Sequence, residues 1–496
     1  MNDTLEALER MFNLNSVAVV GAPRTRPPGW PGIFGCIRDF GFQGRLYPVN
    51  PAAEEVEGIK AWPNLASLPE TVDLVIISVP APAVPEALRD CITSGNRNVH
   101  IFTAGFKETG EEEGIRLHRE IEEIARHGKL HVIGPNCMGI HVPSKRFATW
   151  VNPSPRSGPL AFISQSGGHS QDFTAFANRI GLYFSKVISY GNALTLDSTD
   201  FLEYLAADRE TEIITMYLEG VKDGRKLHSL VSEIAPLKPV IILKAGLTEA
   251  GTRAVASHTG SLAGGEKLWR GFFRSTGALS AESLEDMAFQ ALVFRHLKNE
   301  PEGLNTVVIG HGGGIAVSAA DACSKAGLAM PPLDGATQKK LRPWIPAGGN
   351  IIRNPVDAVP VFRDTDMLHG VLQTIADDPA VHMMIVSLSL DWLFDTDQGI
   401  QVERVADFLS EEARGSVRGK PLVVSWRSYR NDPRIPEIGQ KIESKLLEAG
   451  LPVYRSLDWA ARSLSRWAGY HLSQKKRAEW EKGREEPRRR ACSVYR

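Results

Sequence analysis

Short β-branched runs alternate with amphipathic stretches along this chain. Over residues 11–148 the runs are SVAVVG (16–21), RLYPVN (45–50), VDLVIISVP (72–80), NVHIFTAG (98–105) and LHVIGPN (130–136). Between them lie stretches of helical period, such as PEALRDCITSG and EEEGIRLHREIEEIARHG. A strand buried on both faces has no polar side to show. Continuous apolar runs separated by helices therefore predict parallel strands joined by crossover helices. The pattern predicts a Rossmann-like α/β domain over 11–148.

A Pro/Ser/Gly stretch, VNPSPRSGP (151–159), marks a boundary. The next unit, 152–298, runs from PLAFIS through SKVISYG, EIITMYLEG and PVIILKAG to the helix SLEDMAFQALVFRHL. A third, 303–470, runs from TVVIGHGGG through HMMIVSLSL, PLVVSWR and LPVYR to SLDWAARSLSRWAGYHL. Both open with a strand, a glycine-rich turn and a helix. Both close with Ser-Leu-acid, Ser283-Leu284-Glu285 and Ser456-Leu457-Asp458, where the serine suits a helix N-cap. Two flavodoxin-like domains of one type are expected. Residues 471–496 carry nine Lys/Arg and four Glu, and read as a basic tail, helical or disordered.

Composition narrows the function only by exclusion. The chain has 496 residues, 43% hydrophobic and 23% charged, with a formal net charge of -1. That balance points to neither nucleic acid nor membrane as a partner. The five cysteines are far apart, with no CxxC pair, so neither a metal site nor a disulfide framework is expected. The N-terminal stretch lacks the apolar region of a secretory signal, and no apolar run reaches the ~18 residues of a membrane span. A cytoplasmic enzyme is expected.

Candidate chemistry begins at Gly21-Ala22-Pro23, where the first strand ends. Glycine there lets a phosphate approach backbone N–H groups at a helix start. The G-x-G-x-x-G spacing is missing, and the second strand ends in Val49-Asn50-Pro51 without an acid for a ribose diol. Both absences argue against NAD. The other strand ends, Ser78-Val79-Pro80 and Thr103-Ala104-Gly105-Phe106, offer small and apolar groups suited to an extended ligand such as CoA, or to plain turn chemistry.

In the second unit, His258 stands among small residues and glycines in ASHTGSLAG. A neutral imidazole is a competent nucleophile toward phosphorus. By chemistry alone such a loop histidine is either bystander or nucleophile. A carrier needs a carboxylate to hold one ring nitrogen protonated. Glu219, 39 residues earlier, ends the strand MYLEG at the ligand-binding edge. Two glycine-rich helix starts, Ser164-Gln165-Ser166-Gly167-Gly168 and Gly310-His311-Gly312-Gly313-Gly314, could present free N–H groups to phosphate.

The segment GFQGRLYPVNPAAEEVEGIKAWPNLASLPETVDLVIISVPAPAVP, with TAGFKETG and GPNCMGI in the same order, resembles the CoA-binding domain of NDP-forming acyl-CoA synthetases and succinyl-CoA synthetase alpha subunits. LKAGLTEAGTRAVASHTGSLAG resembles their phosphohistidine loop. The likeness covers about residues 11–465. It implies that Gly21, Ala22, Ser78, Val79, Pro80, Ala104, Gly105 and Phe106 line a CoA site, to which Pro23, Asn50 and Asn136 are added. It implies that His258 is the phosphate carrier and Glu219 its paired carboxylate. It implies that Ser164, Ser166, Gly167, Gly168, Gly312, Gly313 and Gly314 hold phosphate at two helix starts. His311 is read as a contact rather than the carrier. The NPVD stretch, Asn354 to Asp357, is read as structural or at the acyl pocket. Pro23 stands where the family commonly has serine, with Arg24 or Arg26 as substitute phosphate binders. Leu247 stands where a basic residue is common.

The implied activity interconverts carboxylic acid, CoA and ATP (or GTP) with acyl-CoA, ADP (or GDP) and phosphate. The chain has no room for an ATP-grasp domain. An ATP-grasp beta subunit carrying nucleotide and Mg²⁺ is therefore expected, in a hetero-oligomer. Rival readings are a CoA-sensing module without catalysis and an acyl-transferring or citrate-cleaving relative. The acid is not readable; Trp30, Trp150 and Trp344 either line its pocket or pack.

Overall fold

The structure is a computed structural model. It describes residues 3–493 apart from 260–264, 311, 347, 349, 398 and 416–418, and leaves out the side chains of 256–259, 396, 414–415 and 480–493. Two compact units divide the chain, Met1–Ala288 and Phe289–Arg496.

Among the described residues, the first unit holds two large sheets and a two-stranded ribbon, Glu55–Val56 with Ile59–Lys60. The first sheet lines up Arg45–Val49, Ser16–Val20, Leu74–Ile77, Asn98–Ile101 and His131–Ile133, all parallel. Its inner strand LVII is buried at every position, which explains its unbroken apolar run. The chain turns from one side of the sheet to the other between Ser16–Val20 and Leu74–Ile77. A crevice opens at the carboxyl ends of strands at such a switch point.

The second sheet follows the order Leu279–Ala281, Val240–Lys244, Ile213–Leu218, Ser157–Ser164, Phe184–Ser189, Gly139–Val142, Phe147–Ala148. Its five parallel strands have the flavodoxin order, with the switch point between Ser157–Ser164 and Ile213–Leu218. Gly139–Val142 joins antiparallel to Phe184–Ser189, with His141 opposite Val187. Residues 139–148, grouped by sequence with the first domain, therefore extend the second sheet. The reason is non-local: within 11–148 that strand pairs only with Phe147–Ala148, and its other edge is filled by Phe184–Ser189. Residues 192–196 run back along the first sheet, where the Asn192 and Leu194 amides donate to the Pro135 and Gly134 carbonyls at 3.0 and 2.8 Å. One apolar core consequently continues from Val17 and Leu74 to Ile163 and Met216.

The other unit has one parallel sheet, ordered Val356–Asp357, Thr306–Gly310, Met383–Ser389, Leu422–Arg427, Val453–Tyr454. This is again the flavodoxin order. The two serines expected as caps both act so: Ser283 Oγ accepts from the Asp286 amide at 3.1 Å, and Ser456 Oγ from Asp458 at 3.2 Å. Helix Leu457–Ser493 continues through much of the basic tail.

Candidate active site

The first-sheet candidates gather at one carboxyl edge. Gly21 has φ +87°, and a Cβ there would lie 2.5 Å from the Ser78 carbonyl oxygen. Only glycine lets the two strand ends meet this closely. Asn50 braces the same turn: its Nδ2 donates to Ala22 O at 2.9 Å and its Oδ1 accepts from the Ala52 amide at 2.9 Å. These two bonds make Asn50 a brace of the turn, and its Nδ2 keeps a second N–H. Ala22 and Phe106 are fully buried. Pro80 and Ala104 are exposed, and Ser78, Val79 and Gly105 half-buried. Asn136 has φ +58° and donates its amide to Thr103 O at 2.9 Å.

Arg26 is not a free phosphate binder. It donates to Asp39 at 2.7 Å and to Glu57 at 2.6 Å, and those carboxylates hold its guanidinium well above its ordinary pKa. Trp30 stacks on Phe102, Trp150 is buried against His141, and Trp344 lies where a Cβ on Gly370 would fall. All three pack.

A residue without any sequence signal organises the next loop. Glu108 Oε1 accepts from the amides of Gly105 and Phe106 at 2.7 and 3.0 Å, and its Oε2 accepts from Asn192 Nδ2. Burial alone would raise its pKa, but these donors win and hold it below the usual carboxylate range.

At the switch point of the second sheet, Glu219 follows Ile213–Leu218 and is buried, 4% exposed. Gln165 Oε1 accepts from the Glu219 and Gly220 amides at 2.5 and 2.9 Å. The Tyr217 hydroxyl donates to Glu219 Oε1 at 3.3 Å. Lys244, at the end of the neighbouring strand, donates to the Glu219 carbonyl at 2.8 Å. Its ammonium lies 5.4 Å from the Trp269 ring centre, and burial lowers its pKa to about 8, against the pull of Glu219. Leu247, the departure noted in sequence, packs on the core.

Helix Gly167–Arg179 starts beside Glu219. Ser166 caps it, its Oγ accepting from the His169 amide at 3.3 Å. Ser164 is fully buried; its hydroxyl donates to Ser166 O at 2.8 Å and accepts from the Ser166 amide at 3.1 Å. Ser164 thus shapes the turn and is revised from phosphate contact to brace. Gly167 and Gly168 follow as helix-start donors, and nothing stands within 4 Å of a Cβ on Gly168. Helix Glu249–Thr259 carries His258 in its last turn, where a loop was expected; it lies against the turn Lys107–Thr109. The His258 side chain is outside the described residues, as is His311.

In the other unit, the Gly312 amide donates to Asp357 Oδ1 at 2.6 Å. That N–H is already engaged, so Gly312 is revised from phosphate donor to the anchored start of helix Gly313–Lys325. The same bond gives the NPVD stretch its role: Asn354 Nδ2 ties Thr306 O and Pro331 O at 2.8 and 3.0 Å, and Asp357 holds the glycine turn. Gly313 and Gly314 begin the helix. Among the described residues, no group of three or more His, Cys, Asp or Glu side chains could hold a metal ion, and no helix is long and apolar enough to cross a membrane.

Comparison with known proteins agrees with this layout. Residues 15–143 match the CoA binding domain family, and residues 157–294 the succinyl-CoA ligase like flavodoxin domain. The alpha subunit of ADP-forming acetate–CoA ligase II of Pyrococcus furiosus is 34% identical over 448 residues, 90% of this chain and 94% of that one. ADP-forming acetate–CoA ligase I of Archaeoglobus fulgidus is 36% identical over 411 residues, 82% of this chain; the chain covers 59% of that relative's length. The dinucleotide forming acetyl-coenzyme A synthetase 1 of Ca. Korarchaeum cryptofilum, solved with phosphate and ADP, superposes with a TM-score of 0.82 at 29% identity, over 96% of this chain and 98% of that one.

A CoA-binding sheet followed by a succinyl-CoA-ligase-like sheet defines an acid–thiol ligase. Within that class the chain belongs to the family of ADP-forming acyl-CoA synthetases, as an alpha-type chain.

Proposed function

We propose that this chain is the alpha subunit of an ADP-forming acyl-CoA synthetase that works through acyl phosphate and phospho-His258. The observation that carries the reading is the meeting, at one switch point, of buried Glu219 and a helix start that is open at Gly168. That edge joins an anion-binding helix end to a carboxylate suited to orient an imidazole.

From acyl-CoA, a phosphate oxygen attacks the thioester carbonyl. The C–S bond breaks, CoA thiolate leaves and acyl phosphate forms. A ring nitrogen of His258 then attacks phosphorus, and the acid leaves as carboxylate. Glu219 accepts the proton-bearing nitrogen's hydrogen bond and steadies the cationic ring. ADP takes the phosphoryl group from His258, completing ATP. Synthesis runs these steps in reverse. The amides of Gly167 and Gly168 stabilise the charge on the moving phosphoryl group.

Nucleotide and Mg²⁺ belong, in this reading, to an ATP-grasp beta subunit. The Pyrococcus furiosus relative is itself named an alpha subunit. The test is reconstitution. The purified chain alone should bind CoA without making acyl-CoA, and adding a beta subunit should start turnover. Acyl-CoA formation by the chain alone would refute the split. CoA binding with no phosphorylation under any partner would favour a sensing module.

A further inference from the structure

Next to Glu219 is a cavity of about 260 Å³, lined by Lys107, Gln165, Asp197, Gly220 and Lys222 among others. Its place is set by the chain. Gly220 follows Glu219, and Gln165 precedes the Ser166 cap of helix Gly167–Arg179. Lys107 opens the turn against which helix Glu249–Thr259, the bearer of His258, rests. Elements tied to the carboxylate, the helix start and His258 thus meet around one space.

Charge in the lining is out of balance. Lys107 and Lys222 both line the cavity. Lys222 is tied to the carbonyls of Ala193 and Leu194, whereas the Lys107 ammonium makes no hydrogen bond or ion pair among the described residues. Burial first, and the Lys222 ammonium second, hold the Lys107 pKa below its ordinary value, against the pull of Glu122 and Glu108. The carboxylate in the lining, Asp197, is committed to helix Ser198–Ala207: its Oδ1 accepts from the Thr199 amide and hydroxyl at 2.7 and 2.6 Å. Two like charges at one cavity repel, and an anion placed there offsets the repulsion.

Gln165 adds a neutral donor in a fixed direction. It is 9% exposed, and its backbone amide donates to Tyr217 O at 3.2 Å. Its Oε1 accepts from the Glu219 and Gly220 amides at 2.5 and 2.9 Å. Two donors on one atom identify that end of the carboxamide as the oxygen, so Nε2 lies on the other side. Nε2 has no hydrogen-bond partner among the described residues, and it is not sealed away from the cavity that Gln165 lines. An amide nitrogen only donates, so it matches an anion's oxygen.

We infer that Gln165 and Lys107 bind the phosphoryl group in transit, first as inorganic phosphate and then as acyl phosphate. Gln165 Nε2 donates to one phosphoryl oxygen and the Lys107 ammonium to another. Neither residue gives up a proton. The N–P bond to His258 forms as the P–O bond to the leaving carboxylate breaks, and both donors stabilise the charge spread over the phosphoryl oxygens. Through Oε1, the same Gln165 carboxamide fixes the peptide of Glu219. This inference rests on the synthetase reading above.

The test reads initial rates of the chain with its beta subunit on ADP, acyl-CoA and varied phosphate, beside CoA titration and urea unfolding. Gln165→Glu keeps an oxygen for the two amides and replaces the Nε2 donor by an anion. It should lower kcat/KM for phosphate at least about ten-fold, the scale of one hydrogen bond to a charged group. Lys107→Met should do the same, and Lys107→Arg, which keeps the charge, should recover most of the loss. A desolvated ammonium without a partner does not stabilise the fold, so the urea midpoint of Lys107→Met should equal or exceed that of the wild-type chain. CoA affinity should stay within about two-fold in all three variants. A kcat/KM for phosphate unmoved in Gln165→Glu or in Lys107→Met would overturn the assignment. So would a lowered midpoint in Lys107→Met, which would make its role structural, or a matching loss of CoA affinity, which would place a CoA phosphate in the cavity. If the wild-type chain turns over no acyl-CoA, the synthetase reading fails separately. The cavity is then judged by phosphorus NMR of inorganic phosphate with the CoA-loaded chain. Line broadening that disappears in Lys107→Met supports it; broadening that persists there, or is absent from the wild-type chain, refutes it.

Discussion

Glu108 and Asn192 clasp the first two sheets together: the carboxylate that gathers the Gly105 and Phe106 amides also accepts the Asn192 carboxamide. The two residues are 84 apart in sequence and stand on different sheets. The clasp holds the candidate CoA loop in one conformation relative to the turn after Phe184–Ser189. A hydrogen bond to a charged group contributes about 1.5–3 kcal/mol. Glu108→Ala should therefore weaken CoA binding by about ten-fold or more, read by calorimetric titration of the purified chain. Glu108→Gln keeps one acceptor and should lose less. Equal, wild-type affinity in both variants would show that the clasp does not shape the CoA site.

Gly21 offers a second check on the same edge. A side chain there meets the Ser78 carbonyl at 2.5 Å in a backbone of φ +87°. Such strain costs on the order of 1–3 kcal/mol. Gly21→Val should lower the urea midpoint and abolish measurable CoA binding. Gly58, also at positive φ but with open space around it, serves as control. Substitution to Val at Gly58 should leave CoA affinity within about two-fold. A Gly21→Val chain that binds CoA normally would contradict the close approach.

Lys244 gives the chain a pH signature. Burial lowers its pKa from 10.5 to about 8. Between those values the unfolded chain keeps the proton that the folded chain has lost. Folding stability from this group therefore rises with pH across that window and is constant below it. In Lys244→Met the rise is missing. Urea unfolding of both chains at several pH values between about 7 and 10.5 should show the wild-type-minus-variant difference growing with pH. A difference that stays flat would mean the ammonium is not desolvated.

These residues also show where sequence reasoning stops. The strand LVII and the turn QSGG announce themselves by local pattern, and the three-sheet architecture follows from such runs. The flavodoxin-like class was legible for the same reason. The membership of Gly139–Val142 in the second sheet was not, because strand pairing is decided by residues 46 to 50 positions away. Glu108 and Gln165 were missed as organisers for a related reason, whereas Asp357 fell within the NPVD stretch read as structural. Each of the first two accepts backbone amides that only the folded loops bring together, and a Glu or Gln in a turn has no distinguishing neighbour in sequence. Ser164 and Gly312 misled in the opposite direction. They stand in glycine-rich turns of the right pattern, but their polar groups are consumed in building those turns.

The central claim is that phosphate passes through His258 under the control of Glu219. The most direct measurement incubates the chain, with its beta subunit, with radiolabelled phosphate and acyl-CoA, and follows acid-labile label on protein. The account predicts label in the wild-type chain, none in His258→Ala, and label forming at least about 100-fold more slowly in Glu219→Gln, the scale of losing an orienting carboxylate. Label that persists in His258→Ala, or acyl-CoA turnover without any acid-labile label, would contradict it.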